Sequence, residues 1–194
     1  MNNFYHKLNL DYNMQELIDV ADNYDSEFMD GFTDAKGNYI TYASVGKVMG
    51  GVYDVRSMYL KDLPVDFRSL EIFKIAKDLF KNISPHNDIE HLYNYAQYFK
   101  INGPLIPHKD KRTAVFTIPI RGVDCPVYWY DDNDVEIEKY VYDGPSIINT
   151  EIKHGCMENA GERMFFQIGG FSQPFSEILG LLEWSVLHHG IVYL

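Results

Sequence analysis

Two periods alternate along this chain, and the places where one gives way to the other set its organisation. From Asn13 to Ala21, Met14, Leu17, Ile18 and Ala21 recur at helical spacing, with Asp11 or Asn13 placed to cap the start. Phe67–Ile83 carries a broader apolar face of Leu70, Phe73, Ile75, Ala76, Leu79, Phe80 and Ile83, opposite Lys74, Lys77, Asp78 and Lys81. Pro64 before it and Ser84-Pro85 after it bound a predicted helix over 67–83. At Glu90 the period falls to two. Glu90–Ile101 is predicted as one long strand with Tyr93, Tyr95 and Phe99 on a single face.

After the break at Asn102-Gly103-Pro104 the strands become short and frequent. Leu105 leads into His108, Thr113–Ile120 is a β-branched apolar run, and Val127–Tyr130 ends at the acidic turn Asp131–Asp134. Val135–Tyr142 alternates, Asp143-Gly144-Pro145 turns the chain, Ser146–Thr150 is extended, and Asn159-Ala160-Gly161 turns again before Met164–Ile168. Many short strands at this spacing predict a mainly β sandwich or barrel with flanking helices. Pro174–Trp184 reads as a closing helix. In the first third, Asp22–Asp34 reads as an acidic loop and Asn38–Ser44 as a strand, with Gly50-Gly51 turning into another extended piece. The whole is predicted as one domain, 1–194: a helical and mixed support region over 1–89, a β core over 90–171 and a C-terminal helix over 172–194.

Charge narrows the function classes. Seventeen basic residues against 28 acidic give a net charge of −11, a surface that repels phosphate backbones and argues against nucleic acid as the partner. Lys109, Lys111, Arg112 and Arg121 are local exceptions that keep an anionic small molecule in play. Two cysteines, Cys125 and Cys156, make no disulfide framework, so a reducing, cytoplasmic setting is the simpler expectation. The N-terminal residues lack the apolar core of a signal peptide, and no apolar run approaches a membrane span.

The candidate chemistry lies between Ile106 and Arg163. His108 and Asp110 are two apart in Ile-Pro-His-Lys-Asp, and residues two apart in a strand point to the same face. His154 follows 44 residues after Asp110, and Arg163 heads a further apolar run. Two imidazoles and one carboxylate suit a facial non-haem Fe(II) site with three positions left open. Alone, His-x-Asp is weak, and a surface imidazole among charges is the plainer reading. The strand edge, the downstream histidine and the arginine strengthen the metal reading in combination. Lys109, Lys111 and Arg112 crowd positive charge around the first two ligands; solvated rim charge is the simpler reading, attraction of an acidic substrate the other.

His108-Lys-Asp110, then His154, then Arg163, resembles the Fe(II)- and 2-oxoglutarate-dependent dioxygenases, whose fold is a double-stranded β-helix or jelly roll. Ile106-Pro-His-Lys-Asp followed by Thr-Ile-Pro-Ile is similar to that family too, as is Ile148-Asn-Thr with His154 and Asn159 before Arg163-Met-Phe-Phe-Gln-Ile. The resemblance covers about residues 90–171. It implies that His108, Asp110 and His154 ligate iron and that Arg163 grips the distal carboxylate of 2-oxoglutarate, a task suited to a bidentate guanidinium. It further implies O2 as cosubstrate and hydroxylation of a C–H bond with release of succinate and CO2. Tyr98, Thr117 and Asn149 are each open as a second contact to the cosubstrate carboxylate. The substrate stays open between a small molecule and a peptide or protein side chain, and the apolar C-terminal helix leaves a homodimer open.

Two other readings stand beside this one: a jelly-roll binding protein without turnover, and a cupin-like metalloenzyme that uses no 2-oxoglutarate. Structural zinc is disfavoured because Cys156 near His154 has only Cys125 as a thiol companion, with no Cys-x-x-Cys knuckle. Ser-His-Asp hydrolysis has no Gly-x-Ser-x-Gly turn to support it. His6, His86 and His91 lack partners at ligand spacing, and the adjacent His188 and His189 point to different faces. Trp129, Tyr128 and Tyr130 read more simply as core than as pocket lining.

Overall fold

The computed structural model describes residues 3–33, 36–48, 54–122, 126–156 and 161–189. Cys125 and the turns expected at Gly50-Gly51 and Asn159-Ala160 lie outside them. The strands run β1 (Tyr5–Lys7), β2 (Gly31–Thr33), β3 (Tyr39–Thr41), β4 (Asp54–Tyr59), β5 (Ala96–Asn102), β6 (Leu105–His108), β7 (Ala114–Arg121), β8 (Val127–Tyr130), β9 (Glu136–Tyr140), β10 (Ser146–Asn149), β11 (His154–Cys156) and β12 (Glu162–Ile168). The helices are α1 (Met14–Asn23), α2 (Tyr42–Val48), α3 (Glu71–Leu79), α4 (Ile89–Asn94) and α5 (Phe175–His189), with 3₁₀ turns at Asp25–Glu27 and Leu60–Asp62.

All the strand pairings are antiparallel. A six-stranded sheet in the order β1-β10-β7-β12-β5-β4 packs against a four-stranded sheet in the order β6-β11-β8-β9, and β2-β3 form a separate pair. The two large sheets stay open at their edges rather than closing into a barrel. Residues before position 90 supply both edges of the larger sheet, through β1 and β4.

Strand alternation gives the larger sheet two different faces. Ala114, Phe116 and Ile118 of β7, Met164, Phe166 and Ile168 of β12, and Ala96 and Tyr98 of β5 face the helices. There they meet Leu17 and Val20 of α1, Ile72 and Phe73 of α3, and Ile178 and Leu182 of α5, all buried. Each fully buried Leu, Ile or Phe contributes roughly 1.5–3 kcal/mol, so this layer anchors the sheet. The alternate residues, among them Val115, Ile148 and Phe165, face the smaller sheet. Trp129 fills that interface with no exposure, and its indole N–H donates to the Asn149 carbonyl at 2.9 Å.

Several elements depart from the sequence expectation. α1 starts where expected, with the Asn13 side chain accepting from the amides of Gln15 and Glu16. The Phe67–Ile83 helix is shorter, only Glu71–Leu79, because tight turns at Phe67–Leu70 and Phe80–Ile83 take the outer residues. The long strand at Glu90–Ile101 is corrected in its first half: Ile89–Asn94 is helical, capped by the Asp88 carboxylate accepting from the Glu90 amide. Tyr93 is therefore buried under α3 while Tyr95 is exposed, and they share no face with Phe99. Asn38–Ser44 splits into β3 and the first turn of α2, where the Thr41 hydroxyl accepts from the Ser44 amide as an N-cap does. The acidic stretch Asp22–Asp34 is not all loop, since it holds a 3₁₀ turn, a bridge from Met29 to Ser57, and β2.

Candidate metal centre

β6 and β11 are neighbours, and their register sets His108 directly opposite His154, with ring centroids 4.6 Å apart. Gly155 makes that approach possible. A Cβ there would sit 2.6 Å from the Leu105 carbonyl oxygen, so any side chain would push β6 away. Asp110 is not in a strand: it lies just past β6, in the link to β7, so the same-face argument for His108 and Asp110 does not hold as stated. A hydrogen bond does that work instead, the Asp110 amide donating to the Thr150 carbonyl at 3.2 Å. Thr150, 1% exposed, also donates its hydroxyl to the Arg112 carbonyl at 2.7 Å and its amide to Thr113. One buried threonine thus ties down the whole turn, a role that its neighbours in sequence do not signal.

The side chains converge. Ligand atoms of His108, Asp110 and His154 all lie within 4.8 Å of one another, the only such group of three among the described residues. Each imidazole commits Nδ1 to a carbonyl two residues back: His108 to Ile106 and His154 to Ile152, both at 2.9 Å. With Nδ1–H donating, Nε2 is the lone pair left for a metal on both rings, the arrangement in which an outer hydrogen bond fixes ligand orientation. The Asp110 carboxylate places Oδ1 3.5 Å from His108 Nε2 and takes a hydrogen bond on Oδ2 from Arg112 Nε at 2.8 Å.

The electrostatics suit a cation. Burial alone would raise the Asp110 carboxyl, but the Arg112 guanidinium and both histidines outweigh it and hold that carboxyl well below the usual range. Burial pushes His154 down to about 4, with His108 adding to the effect, so the ring is neutral at physiological pH. For His108 burial pulls downward too, yet its hydrogen bond and charge contact with Asp110 win and raise it. A carboxylate kept ionised between two imidazoles is a donor set for Fe(II) and related divalent ions.

These residues open into a cavity of about 240 Å3 whose walls include Arg163, Phe165 and Gln167 of β12, Tyr142, and Tyr42 of α2. Volumes of roughly 300–1,000 Å3 hold drug-sized ligands, so this one suits a small molecule. Arg163 is 2% exposed; its Nη2 donates to the Gly103 carbonyl at 2.9 Å and its Nη1 to Cys156 Sγ at 2.8 Å. Of the three residues open as a second carboxylate contact, none is in the cavity wall. Tyr98 is on the helix face and donates its hydroxyl to the Leu17 carbonyl. Asn149 has the same parity as the helix-facing Ile147 and is spent on Asn3, Trp129 and Glu151. Thr117 lies behind Gln167, accepting from its amide at 3.5 Å.

By sequence, no protein-family profile and no curated protein matches the chain. By structure, it is similar to a prolyl hydroxylase from Trichoplax adhaerens in complex with a peptide fragment of the hypoxia-inducible factor oxygen degradation domain. The two share 14% identity over 92% of this chain and 87% of that one, at a TM-score of 0.51. A Pseudomonas putida prolyl-4-hydroxylase gives 9% identity over 87% and 92% at a TM-score of 0.49. The fold is the jelly roll of these hydroxylases.

The remaining site expectations divide. Lys109 and Lys111 are rim charge as expected; both are exposed, and Lys109 pairs with Asp132 at 3.6 Å. Arg112 is not rim charge, since it stands in the cavity wall. Trp129 is core, as expected. Cys156 is disulfide-bonded, a state that persists in oxidising surroundings, whereas the cysteine count alone favours a reducing one. Among the described residues no helix is long and apolar enough to cross a membrane. His86 and His91 are each other's neighbours at 4.6 Å, a pairing that their spacing does not announce. The side chains of His188 and His189 lie outside the described residues.

Proposed function

We propose that the chain is an Fe(II)- and 2-oxoglutarate-dependent oxygenase that hydroxylates a C–H bond of a small molecule or a peptide side chain. The observation that carries this reading is the convergence of His108, Asp110 and His154 in the wall of a small cavity that a buried arginine also lines. His108 and His154 would hold iron through Nε2 and Asp110 through Oδ1, leaving the face toward the cavity for other ligands. Bound iron with the oxo acid and O2 supplies oxidising power, with succinate and CO2 as the other products. Arg163 would take the distal carboxylate of the oxo acid; its guanidinium is buried, where a charged hydrogen bond is strong. The Gly103 carbonyl and Cys156 Sγ hold its guanidinium in place, so little reorganisation accompanies binding. Phe165, Val115 and Tyr142 add apolar wall to the same cavity, which fits the methylenes of a short dicarboxylate.

An anaerobic titration tests the reading. Fe(II) followed by 2-oxoglutarate should raise a weak visible charge-transfer band that needs both additions. His108→Ala and Asp110→Ala should each weaken iron by more than about 100-fold, beyond what outer-shell changes cost. Iron without the band would favour a cupin-like metalloenzyme or a metal-stabilised binding protein. Normal iron stoichiometry in both variants would sink the triad.

A further inference from the structure

We propose that Arg112 is a substrate-recognition residue: its guanidinium takes a carboxylate of the molecule that is oxidised, beside the metal. The inference rests on the function proposed above and specifies its substrate as a carboxylate-bearing one.

The geometry assigns the guanidinium edges to different tasks. Nε donates to Asp110 Oδ2 at 2.8 Å, which fixes the plane of the group one carboxylate away from the triad. Asp110 is the only side chain that hydrogen-bonds Arg112 among the described residues, and neither terminal amino group makes a hydrogen bond to them. The side chain is 25% exposed and stands in the cavity wall. A planar fork of N–H donors, half-withdrawn from water and turned into a cavity, is matched by the two oxygens of a carboxylate. Its position is also prepared from behind. A Cβ at residue 169 would come to 3.0 Å from Nη1, so the end of the guanidinium packs against Gly169 and a side chain there would press on it.

Charge points the same way. Two guanidiniums, Arg112 and Arg163, and one carboxylate, Asp110, face this cavity in a chain whose net charge is −11. Once a divalent metal and a dianionic oxo acid have cancelled each other, one positive charge is left over. Arg163 is the buried one, with both terminal groups engaged by Gly103 and Cys156, and it fits the cosubstrate. Arg112, the more exposed of the two, meets Asp110 through Nε alone, which leaves its terminal amino groups for a further anion. A low-dielectric cleft with an excess of positive charge, in a protein of opposite net charge, concentrates the complementary ion.

Acetate and acetamide, equal in shape and different in charge, are the probes. The protein is loaded anaerobically with Fe(II) and saturating 2-oxoglutarate, which occupies Arg163, and the charge-transfer band is followed as each probe is added. The wild type should respond saturably to acetate and not to acetamide. Arg112→Gln should lower acetate affinity about tenfold or more, the worth of a charged hydrogen bond, and Arg112→Lys should keep part of it. Gly169→Ala, which presses on Nη1 at 3.0 Å and leaves the metal ligands intact, should also weaken acetate while iron stays stoichiometric. No saturable response to acetate in the wild type overturns the proposal, as does an equal response to acetamide or an Arg112→Gln protein that binds acetate normally. Where Arg112→Gln releases the metal, Gly169→Ala decides, and wild-type acetate affinity there confines Arg112 to holding Asp110. A wild type that forms no band before acetate is added fails the proposed function itself, and this inference falls with it.

Discussion

His108 and His154, 46 positions apart in the chain, are direct cross-strand partners on β6 and β11. The closeness depends on Gly155, next to the second of them, because a methyl group there would drive into the Leu105 carbonyl oxygen at 2.6 Å. Gly155→Ala should therefore separate the two imidazoles while leaving all three ligands in the sequence. A backbone shift of this kind costs roughly 1–3 kcal/mol in stability. Metal titration should show affinity lost out of proportion to the change in the melting temperature. Unchanged metal affinity would mean that β6 and β11 do not need to be this close.

Arg163 should separate cosubstrate from metal. Arg163→Met removes the buried guanidinium but touches none of the three ligands. Losing one member of a buried charged pair costs roughly 2–5 kcal/mol, so 2-oxoglutarate affinity should fall about thirtyfold or more. Iron affinity should stay within a few-fold. Lysine should not rescue, since it lacks the fork that reaches both carboxylate oxygens. Anaerobic binding of the oxo acid to the iron-loaded variants reads this out, and full affinity in Arg163→Met would remove the residue from the assignment.

Thr150 links stability to the metal. Thr150→Val keeps the shape but leaves the Arg112 carbonyl without the hydroxyl that donates to it at 2.7 Å. An unsatisfied buried acceptor costs about 1–3 kcal/mol, to be read from urea unfolding. The turn it releases carries Asp110, so metal affinity should fall by about tenfold as for other outer-shell contacts. Loss of stability with no change in metal affinity would show that Asp110 is held by other means.

The pH dependence of stability should carry the signature of His86. This ring is fully buried, stacks on Phe171 at 3.8 Å, and meets the Gly169 carbonyl through Nε2 at 3.0 Å. Nε2 must then carry the proton, which leaves Nδ1 as a buried lone pair without a hydrogen-bond partner among the described residues. Burial pushes the group from 6.5 down to about 4, with His91 adding to the effect. The unfolded chain binds the proton first as pH falls, so this contribution is intact above pH 6.5 and lost between there and about 4. It amounts to at most about 3 kcal/mol. Urea unfolding across that range should show a decline that is shallower in His86→Phe; equal slopes would place the loss elsewhere.

The β core was the legible part of the fold. Strands β7, β8, β10 and β12 follow from runs of β-branched and aromatic residues between turns, and the grouping of His108, Asp110 and His154 from residue type and order. What stayed hidden was hidden for physical reasons. The alternating aromatics of Glu90–Tyr95 imitate a strand, and only the Asp88 cap and burial against α3 make that segment helical. Asp110 reaches His108 through a turn pinned by Thr150, a residue 40 positions away, which no spacing rule foresees. Strand parity sets Tyr98 and Asn149 on the side away from the cavity, which cannot be known until the inward face is known. Arg112 looked like its lysine neighbours in the sequence, and only the fold turns it inward.

β12 has a longer-range consequence. Its odd positions, 163, 165 and 167, wall the cavity, while its even positions, 164, 166 and 168, are gripped by the helices. One ribbon thus answers to two masters that never meet across its thickness. Exchanges among bulky apolar residues at the even positions are a matter for packing alone and should leave ligand selection untouched. A change at an odd position can remake what the cavity accepts without the helices registering it. A shape this permissive on one side can keep its chemistry while most of its letters drift, or keep its scaffold while the chemistry is rewritten.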